Sequence, residues 1–445
     1  MNEVDGSLTR RLTRMVRARD VDEIDRSNAE RFVRDWLGSY VAGSAAPVGG
    51  ILRAYGDASR DLEARAFLAA ALSHVTETDD LHRRSVTHPG CVVIPVALLL
   101  GRDSNAGGHQ VLRAVLAGYD VMTRIGEALG AAHYRTFHNT ATAGVFGAAA
   151  AAATLLDLSE DAWVWALGSA GTQAAGLWQF NPEGAMSKPL HAGHAASAGL
   201  RSALLAAHGL TGAEKILEGE QGLFRALCPD ARPSEVLAEA AGWKLPETSM
   251  KPYPCCRHMH PAIDAALKLR EDAVLELRDE ADGSELARVH VESYPAALDV
   301  VDRPFPRTPH EARFSLQYAV TTALLRGRPG LGTFELPAID EDAIRSTLPR
   351  VTVESDATLA AAYPERWGAR VCVERSDGTT RTVVRHSATG DPDEPLDDPA
   401  LDAKVEGLFR WAGVSAMRTK SILTSCRALT RDGSTFALPK VAVRD

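Results

Sequence analysis

Three long runs with little or no charge constrain the fold of this 445-residue chain more than any other feature. Residues 140–156 (TATAGVFGAAAAAATLL) and 162–180 (AWVWALGSAGTQAAGLWQF) contain no charged side chain, and residues 186–210 contain few. The runs are near the lower length limit for a membrane span, and they are rich in Ala, Gly, Ser and Thr instead of Leu and Ile. Because small side chains let helix backbones approach closely, we expect central helices packed on all sides.

Helical periodicity continues on both sides of these runs. Apolar residues recur at helical spacing in residues 28–41 and 61–75, which extends the helical prediction toward the N-terminus. The same periodicity returns at 397–413 (DDPALDAKVEGLFRWAG). The sequence therefore predicts helices over most of the first 265 residues and again in the C-terminal tail.

The pattern changes between these helical parts, near residue 265. Residues 285–294 and 350–355 alternate between apolar and polar side chains, as half-buried strands do. Residues 369–386 predict two strands joined by a Ser-Asp-Gly turn, and residues 309–325 predict a helix. The expected class is mainly α, with a large all-helical domain and an inserted, smaller α+β domain. The predicted boundaries are 1–265 plus 397–445 for the helical domain and 266–396 for the insertion.

Composition excludes several classes of protein. The net charge is −9 and no block of like charges occurs, which argues against nucleic acid as a partner. The N-terminal stretch lacks the apolar core of a secretory signal, so we expect a cytoplasmic protein with no membrane segment. The cysteines lack the paired spacing of zinc or redox sites, so we expect no metal and no disulfide framework. They are Cys91, Cys228, Cys255, Cys256, Cys372 and Cys426.

Titratable side chains are concentrated in five short stretches beside apolar segments. The richest is residues 79–91 (DDLHRRSVTHPGC), which leads directly into an apolar run. The others are YRTFHNTATAG with His138, MSKPLHAGHAASAG with Lys188, His191 and His194, MKPYPCCRHMHPA with Lys251, Cys255, Cys256, Arg257, His258 and His260, and RPFPRTPHEARFSLQY with Arg313 and Tyr318. Any one histidine beside a helix start is more often a cap or a satisfied core group than a catalyst.

Together, the five stretches indicate a functional site. Lys, His and Arg recur at the predicted helix ends of an acidic protein, and their convergence would form a positive pocket for a small anion. Lys and Arg would hold carboxylates, which leaves His or Asp to move protons. The chain has no dinucleotide, Walker, nucleophile-elbow or zinc-protease motif, so the chemistry would rest on acid–base groups alone.

The same stretches resemble the MmgE/PrpD family, which includes 2-methylcitrate dehydratase, cis-aconitate decarboxylase and iminodisuccinate epimerase. The resemblance extends over nearly the whole chain through DDLHRRSVTHPGCVVIPVAL, FHNTATAGVFGAAAAAA, GTQAAGLWQF, GAMSKPLHAGHAASAG, KPYPCCRHMHPAIDAAL, RPFPRTPHEARFSLQY and DDPALDAK. It implies a helical domain with an inserted α+β lid, a pocket between the two domains, a homodimer, and no metal or organic cofactor.

The family's pocket residues can be carried over one position at a time. The acidic position ahead of the His-Pro pair falls on the run Glu77, Asp79 and Asp80, with its register open. The resemblance implies the catalytic candidates His88, His138, Asp79, Asp80 and Tyr318. The same stretches supply the substrate-binding candidates Lys188, Lys251, Arg257, Cys256 and His191. Two positions differ from the decarboxylase pattern, because Leu81 stands where that pattern has threonine and Cys256 where it has histidine. Both differences count against cis-aconitate decarboxylation.

The leading hypothesis is a lyase that acts on a small di- or tricarboxylate, of the 2-methylcitrate dehydratase type. A base, either His88 or one of the two aspartates, would remove a proton alpha to a carboxylate. His138 or Tyr318 would protonate the departing hydroxyl, and the cationic walls would stabilise the enolate charge. An epimerase or a cis-aconitate decarboxylase-like enzyme is the alternative, and a non-catalytic carboxylate-binding protein is the alternative from another class.

Overall fold

The computed structural model describes residues 6–56, 61–240, 242–271 and 282–439, which are mainly helical. The helices are, in chain order, Leu8–Arg17 (α1), Glu23–Ala45 (α2), Pro47–Gly56 (α3), Leu62–Ser73 (α4), Pro89–Asp103 (α5), Gly108–Ala128 (α6), Ala131–Tyr134 (α7), Asn139–Leu155 (α8), Glu160–Gly171 (α9), Phe180–Glu183 (α10), Lys188–Ala207 (α11), Leu223–Leu227 (α12), His260–Glu271 (α13), Pro295–Val301 (α14), Pro309–Ala312 (α15), Leu316–Arg326 (α16), Asp342–Thr347 (α17), Ala357–Ala362 (α18), Asp398–Trp411 (α19) and Ala416–Arg427 (α20). The strands are Leu81–His82 (β1), Thr248–Ser249 (β2), Leu286–Ser293 (β3), Val351–Ser355 (β4), Ala369–Arg375 (β5) and Thr380–Arg385 (β6).

The chain forms two compact units. The first consists of Met1–Val75, Asp79–Ser249 and Asp398–Asp445. The second consists of Thr76–Thr78 and Met250–Asp397. Among the helices of the described residues, none has both the length and the apolarity that crossing a membrane requires.

Helix α8 is the centre of the first unit. It packs against α5, α6, α9 and α11, and every residue from Asn139 to Ala153 is buried. The helix backbones are close to each other: a Cβ on Gly199 of α11 would come within 2.4 Å of the Ala148 Cβ and the Val145 carbonyl oxygen. The prediction of a helix packed on all sides is therefore confirmed for α8. Helix α11 differs, because Leu190 and Leu205 are each 43% exposed on its outer side.

One predicted helix is shorter than its composition indicated. The uncharged run 162–180 continues as a helix only to Gly171, and a loop follows. The loop backbone bonds instead to the segment before α8, because the His138 N–H donates to the Gly176 carbonyl at 2.8 Å and the Trp178 N–H to the Thr136 carbonyl at 3.0 Å. These long-range backbone bonds replace the helical ones that residues 172–180 would otherwise make.

The second unit contains a four-stranded sheet in the order β4-β3-β5-β6. β3 pairs in parallel with β4 and antiparallel with β5, and β5 pairs antiparallel with β6. Helices α13 and α16 pack with this sheet around a core that includes Val291, Val371 and Leu324. Residues 289–293 and 351–354 follow the predicted alternation, and the two strands predicted within 369–386 are β5 and β6. Gly378 in the β5–β6 turn has the positive φ of 84° that a glycine tolerates.

The helix predicted at 309–325 is divided in two in the second unit. A new helix starts because the Ser315 side chain accepts a hydrogen bond from the Tyr318 N–H, as an N-cap does. The Arg313 carbonyl, which a continuous helix would use internally, accepts the Cys256 N–H at 2.9 Å. The six cysteines lie in the described residues and all are free thiols.

Candidate active site

The stretch 79–91 leaves a short strand and enters helix α5, and Asp80 caps that helix. His88 occupies the N-cap position, but its side chain makes no capping hydrogen bond. The Gly90 N–H donates instead to Asp80 Oδ1 at 3.0 Å. A Cβ at Gly90 would lie 2.9 Å from the same oxygen, so this approach requires glycine. Asp80 therefore stabilises the start of α5, and the His88 ring is left for other partners.

The Asp80 carboxyl group lies fully inside the first unit. Tyr119 of α6 donates its hydroxyl hydrogen to Asp80 Oδ2 at 2.6 Å. Burial raises the pKa of Asp80 to about 7, the Tyr119 hydrogen bond opposes the rise, and the neighbouring Asp79 adds to it. The group therefore changes its charge near neutral pH.

Asp79 lies between two histidines. Its Oδ2 is 2.6 Å from Nδ1 of His74, the residue that ends helix α4, and 3.3 Å from Nδ1 of His88. His88 Nδ1 is also 2.6 Å from the Asp80 carbonyl oxygen, which can only accept. His88 therefore carries a hydrogen on Nδ1, and Nδ1 of His74 faces the Asp79 carboxylate. In many enzymes, a carboxylate holds the imidazole of a histidine in this way, and that histidine acts as the general base.

His138 and His191 form a second pair of imidazoles. His138 precedes α8, His191 lies in the first turn of α11, and their Nδ1 atoms are 3.1 Å apart, so one donates and the other accepts. Burial holds the pKa of His138 well below its usual value, and the nearby His74 and Lys188 add to this. Burial, followed by the same two neighbours, lowers the pKa of His191 to about 4.

These four imidazoles form one group, which we call the histidine cluster (His74, His88, His138 and His191). The ring centroid of His74 lies 4.8 Å from that of His88 and 5.6 Å from that of His138. The ring centroids of His138 and His191 are 5.3 Å apart. Lys188, the first residue of α11, is buried and close enough to act electrostatically on His138 and His191. The cluster combines proton acceptors, carboxylates and a cation, as proton transfer on an anionic molecule requires.

A second group of charged side chains lies in the second unit. Lys251 is 1% exposed, and its Nζ is 3.2 Å from Glu77 Oε2 and 3.3 Å from the Glu77 carbonyl oxygen. Glu77 has a positive φ of 56°, which is unusual for a residue other than glycine. Backbone strain of this kind is concentrated at functional sites, and here it accompanies a buried ion pair.

Arg257 begins a short 3-10 turn and is also buried. One guanidinium nitrogen, Nη2, pairs with Asp391, while Nε and Nη1 have no hydrogen-bond partner. His258 stacks on Trp367 with ring centroids 4.3 Å apart, and its Nδ1 lies 2.6 Å from the Tyr294 hydroxyl oxygen. Burial, followed by Arg257 and Lys251, lowers the pKa of His258 to about 3. We call Lys251, Arg257 and Arg313 the cation cluster.

Arg313 belongs to this cluster, although the sequence favoured its neighbour Tyr318. Burial lowers the pKa of Arg313, while Glu335, Glu77 and Cys255 oppose the shift. Its Nε has no hydrogen-bond partner. Tyr318, by contrast, donates its hydroxyl hydrogen to the Thr333 carbonyl at 2.5 Å.

The predicted site residues therefore separate into two groups and one outlier. The first unit brings together His88, His138, Asp79, Asp80, Lys188 and His191. The second unit brings together Lys251, Cys256 and Arg257, and Tyr318 bonds to a backbone carbonyl instead of a charged group. The sequence interpretation missed His74, Tyr119 and Asp391. Only His74 had a local signal, because it lies five residues before Asp79 at the end of a helix.

Comparison with the sequences of known proteins identifies the family of this chain. The sequence models of the MmgE/PrpD N-terminal and C-terminal domains match residues 10–236 and 253–428. The human cis-aconitate decarboxylase is 28% identical over 82% of this chain and 78% of its own length. A cis-aconitate decarboxylase-like protein of Aspergillus oryzae is 30% identical over 77% of this chain and 74% of its own, and the mouse cis-aconitate decarboxylase is 28% identical over 76% and 70%. The chain belongs to the MmgE/PrpD family.

Proposed function

We propose that this protein is a cofactor-independent lyase that removes a proton alpha to a carboxylate of a small di- or tricarboxylate. The observation that carries the proposal is the buried Asp79 carboxylate, whose Oδ2 lies 2.6 Å from His74 Nδ1 and 3.3 Å from His88 Nδ1. Asp79 orients the His74 imidazole and the Asp80 carbonyl oxygen orients the His88 imidazole, next to a buried lysine. The relatives support a lyase, because those found are cis-aconitate decarboxylases or are named for their likeness to one.

His88 is the proposed base in this reaction. Asp79 and Asp80 are less suited, because each accepts hydrogen bonds from protein groups that hold it in place. His88 Nδ1 donates to a backbone carbonyl, so Nε2 is the atom that takes the proton. The electron pair left on carbon becomes an enolate, and Lys188 would hold a substrate carboxylate in the ground state and the transition state alike.

His138 is the proposed acid. Its low pKa means that it is neutral in the ligand-free protein. A bound polycarboxylate would favour the imidazolium and raise that pKa, so proton donation would become possible when substrate binds. In a dehydration, the proton from His138 would leave with the hydroxyl group as water, and a carbon–carbon double bond would form. Tyr318 is the less favoured acid, because its hydroxyl hydrogen is donated to Thr333.

The cation cluster is the proposed source of further carboxylate contacts. Arg257 has two guanidinium nitrogens, Nε and Nη1, without a hydrogen-bond partner, and each can donate a charged hydrogen bond to a carboxylate. We propose that the second unit acts as the lid in a homodimer. Cytoplasmic location is the expectation that goes with these proposals.

Dehydration of a 2-methylcitrate-like substrate is the leading reaction, and decarboxylation of cis-aconitate is the second. The second is favoured by the names of the relatives. Leu81 and Cys256 oppose it, because leucine lacks the hydroxyl group of the threonine, and cysteine lacks the imidazole of the histidine, in the decarboxylase pattern. Epimerisation would use the same base and acid on opposite faces of one carbon.

Incubation with hydroxy-di- and tricarboxylates and cis-aconitate in deuterated water distinguishes these reactions. NMR would report water loss, carbon dioxide loss and deuterium uptake separately. We expect water loss from a hydroxy-tricarboxylate. Binding of every compound without any of the three changes would contradict an enzymatic function and leave a carboxylate-binding protein.

The roles of His88 and Lys188 give a sharper test of the mechanism. His88→Ala should lower kcat by about 10²–10⁴-fold, as expected for a positioned acid–base group. Lys188→Ala should chiefly raise KM, by roughly 10–100-fold, because a charged hydrogen bond contributes about 1.5–3 kcal/mol. His194→Ala is the matched control, since His194 is exposed and bonds to the Gln173 carbonyl. A folded His88→Ala protein with normal kcat would remove His88 from the mechanism.

A further inference from the structure

Three members of the histidine cluster also bring ring nitrogens close together. One ring nitrogen from each of His74, His88 and His138 lies within 4.8 Å of the other two, and all three side chains are buried. His74 Nε2 is a buried atom with no hydrogen-bond partner in the structure. A buried nitrogen acceptor without a donor is unfavourable, which indicates that something else binds to it.

The other nitrogen of each ring is already held by the protein. His74 Nδ1 bonds to the Asp79 carboxylate, and His88 Nδ1 bonds to the Asp80 carbonyl oxygen. His138 Nδ1 contacts His191 Nδ1 at 3.1 Å. Histidines that bind metal ions are held in this way, with the outer nitrogen donating to a carboxylate, a carbonyl or another acceptor. The remaining ring nitrogen of each histidine is then the candidate ligand atom.

We propose that His74, His88 and His138 form a binding site for one divalent transition-metal ion of the Zn²⁺ type, and that this ion inhibits the enzyme. Inhibition follows because a metal bound to Nε2 of His88 and His138 occupies the lone pairs that would accept and transfer protons. The inhibitory part rests on the proposed function, whereas the binding part does not. The ion is an inhibitor and not a cofactor.

The geometry and the local charge are compatible with such an ion. Tetrahedral zinc with Zn–N bonds of about 2.0–2.1 Å places its nitrogen ligands about 3.3 Å apart, so nitrogen–nitrogen distances must shorten by up to roughly 1.5 Å. The buried carboxylate of Asp79 offsets part of the positive charge, and Lys188 opposes binding.

The described residues contain three other groups of possible ligands. One of them, His74, Asp79 and Cys91, shares His74 with the proposed site, and the other two serve as internal comparisons. His82, Glu127 and Glu247 approach each other, but Lys244 already lies between the carboxylates, with its Nζ 3.3 Å from Glu127 and 3.0 Å from Glu247. The group of His290, Glu292 and Glu354 is partly exposed on the sheet of the second unit. Neither group consists of three imidazoles, which are the ligands that favour Zn²⁺, Ni²⁺ or Cu²⁺ over Mg²⁺.

Titration of the full-length, chelator-treated protein with Co²⁺ and Zn²⁺ tests the binding. We expect one tightly bound ion per chain, visible absorption bands of a low-coordinate Co²⁺ complex, and no comparable binding of Mg²⁺. His74→Gln should weaken binding by at least 100-fold, and Asp79→Asn by about 10–100-fold through loss of ring orientation. His290→Gln and His82→Gln are the controls and should leave the Co²⁺ spectrum unchanged. Thermal melts check that each variant is folded.

The test of inhibition by the metal ion requires a substrate, which the deuterated-water experiment identifies. Zn²⁺ should then lower turnover, and a chelator should restore it, with His290→Gln behaving like the wild type. A Co²⁺ spectrum that persists in both His74→Gln and Asp79→Asn would overturn the site. Binding of Zn²⁺ without any loss of turnover would overturn the proposed inhibition. Loss of turnover on chelation would show that the ion is a cofactor, which would also overturn the proposed inhibition. Absence of turnover with every substrate, together with an intact Co²⁺ spectrum, would count against the proposed function and not against the site.

Discussion

Replacement of Asp80 by asparagine tests the buried carboxyl group that caps helix α5. Burial raises the pKa of Asp80 to about 7, whereas an aspartate in an unfolded chain has a pKa of about 3.9. Between these values, the folded protein binds a proton that the unfolded chain does not bind. The free energy of unfolding therefore falls as pH rises, by about 1.4 kcal/mol for each pH unit. The stability is fully present below pH 3.9 and is lost as pH rises through 7.

Asp80→Asn removes this dependence because asparagine does not titrate. From pH 5 to pH 8, the stability of the variant relative to the wild type should rise by about 2.5 kcal/mol. A pH-independent loss of about 1–2 kcal/mol is added, since the amide can accept from Gly90 or from Tyr119 but not from both. The variant should therefore be less stable than the wild type at pH 5 and comparable or more stable at pH 8.

Chemical denaturation at pH 5, 6, 7 and 8 measures the difference, and thermal melts should show a relative shift of roughly 5 °C over this range. Asp377→Asn is the control. Asp377 lies in the exposed β5–β6 turn, where a hydrogen bond from the Thr379 N–H lowers its pKa, so its removal should not change the pH dependence above pH 5. A stability difference between Asp80→Asn and the wild type that stays constant from pH 5 to pH 8 would refute the raised pKa.

Three further predictions concern packing and buried charge. Ala150→Leu should destabilise the first unit by about 1–3 kcal/mol, because Ala150 is fully buried in α8; an unchanged melting temperature would contradict the close packing. Lys251→Met should cost about 3–5 kcal/mol by leaving Glu77 buried without its cation, and Glu77→Gln in the same protein should recover part of that loss in denaturation experiments. Asp391→Asn should likewise destabilise the protein by isolating the Arg257 guanidinium, with an unchanged denaturation midpoint as the contrary result.

Local sequence patterns were sufficient for most of the elements. The uncharged run at 140–156 predicted α8 within one residue at each end, because a helix buried on all sides must lack charge. Alternation predicted β3 and β4, because side chains on a strand point alternately to opposite faces, and the Ser-Asp-Gly turn signal predicted β5 and β6. The family and most members of the two clusters also followed from short motifs, since the residues within each motif are neighbours in the chain; His74 did not.

Tertiary structure decided the features that depend on distant partners. The helix after 162 stops at Gly171 because residues 176 and 178 bond to the segment before α8, and no local pattern reports those bonds. Asp80 finds Tyr119 across 39 positions, and Arg257 finds Asp391 across 134. The chemical state of a titratable group is set by such partners and by burial. The sequence by itself therefore determined the family and supplied most of the candidate site residues, and the fold determined which of them cap a helix, form pairs or are buried, because dehydration and hydrogen bonding act only after distant segments have packed together.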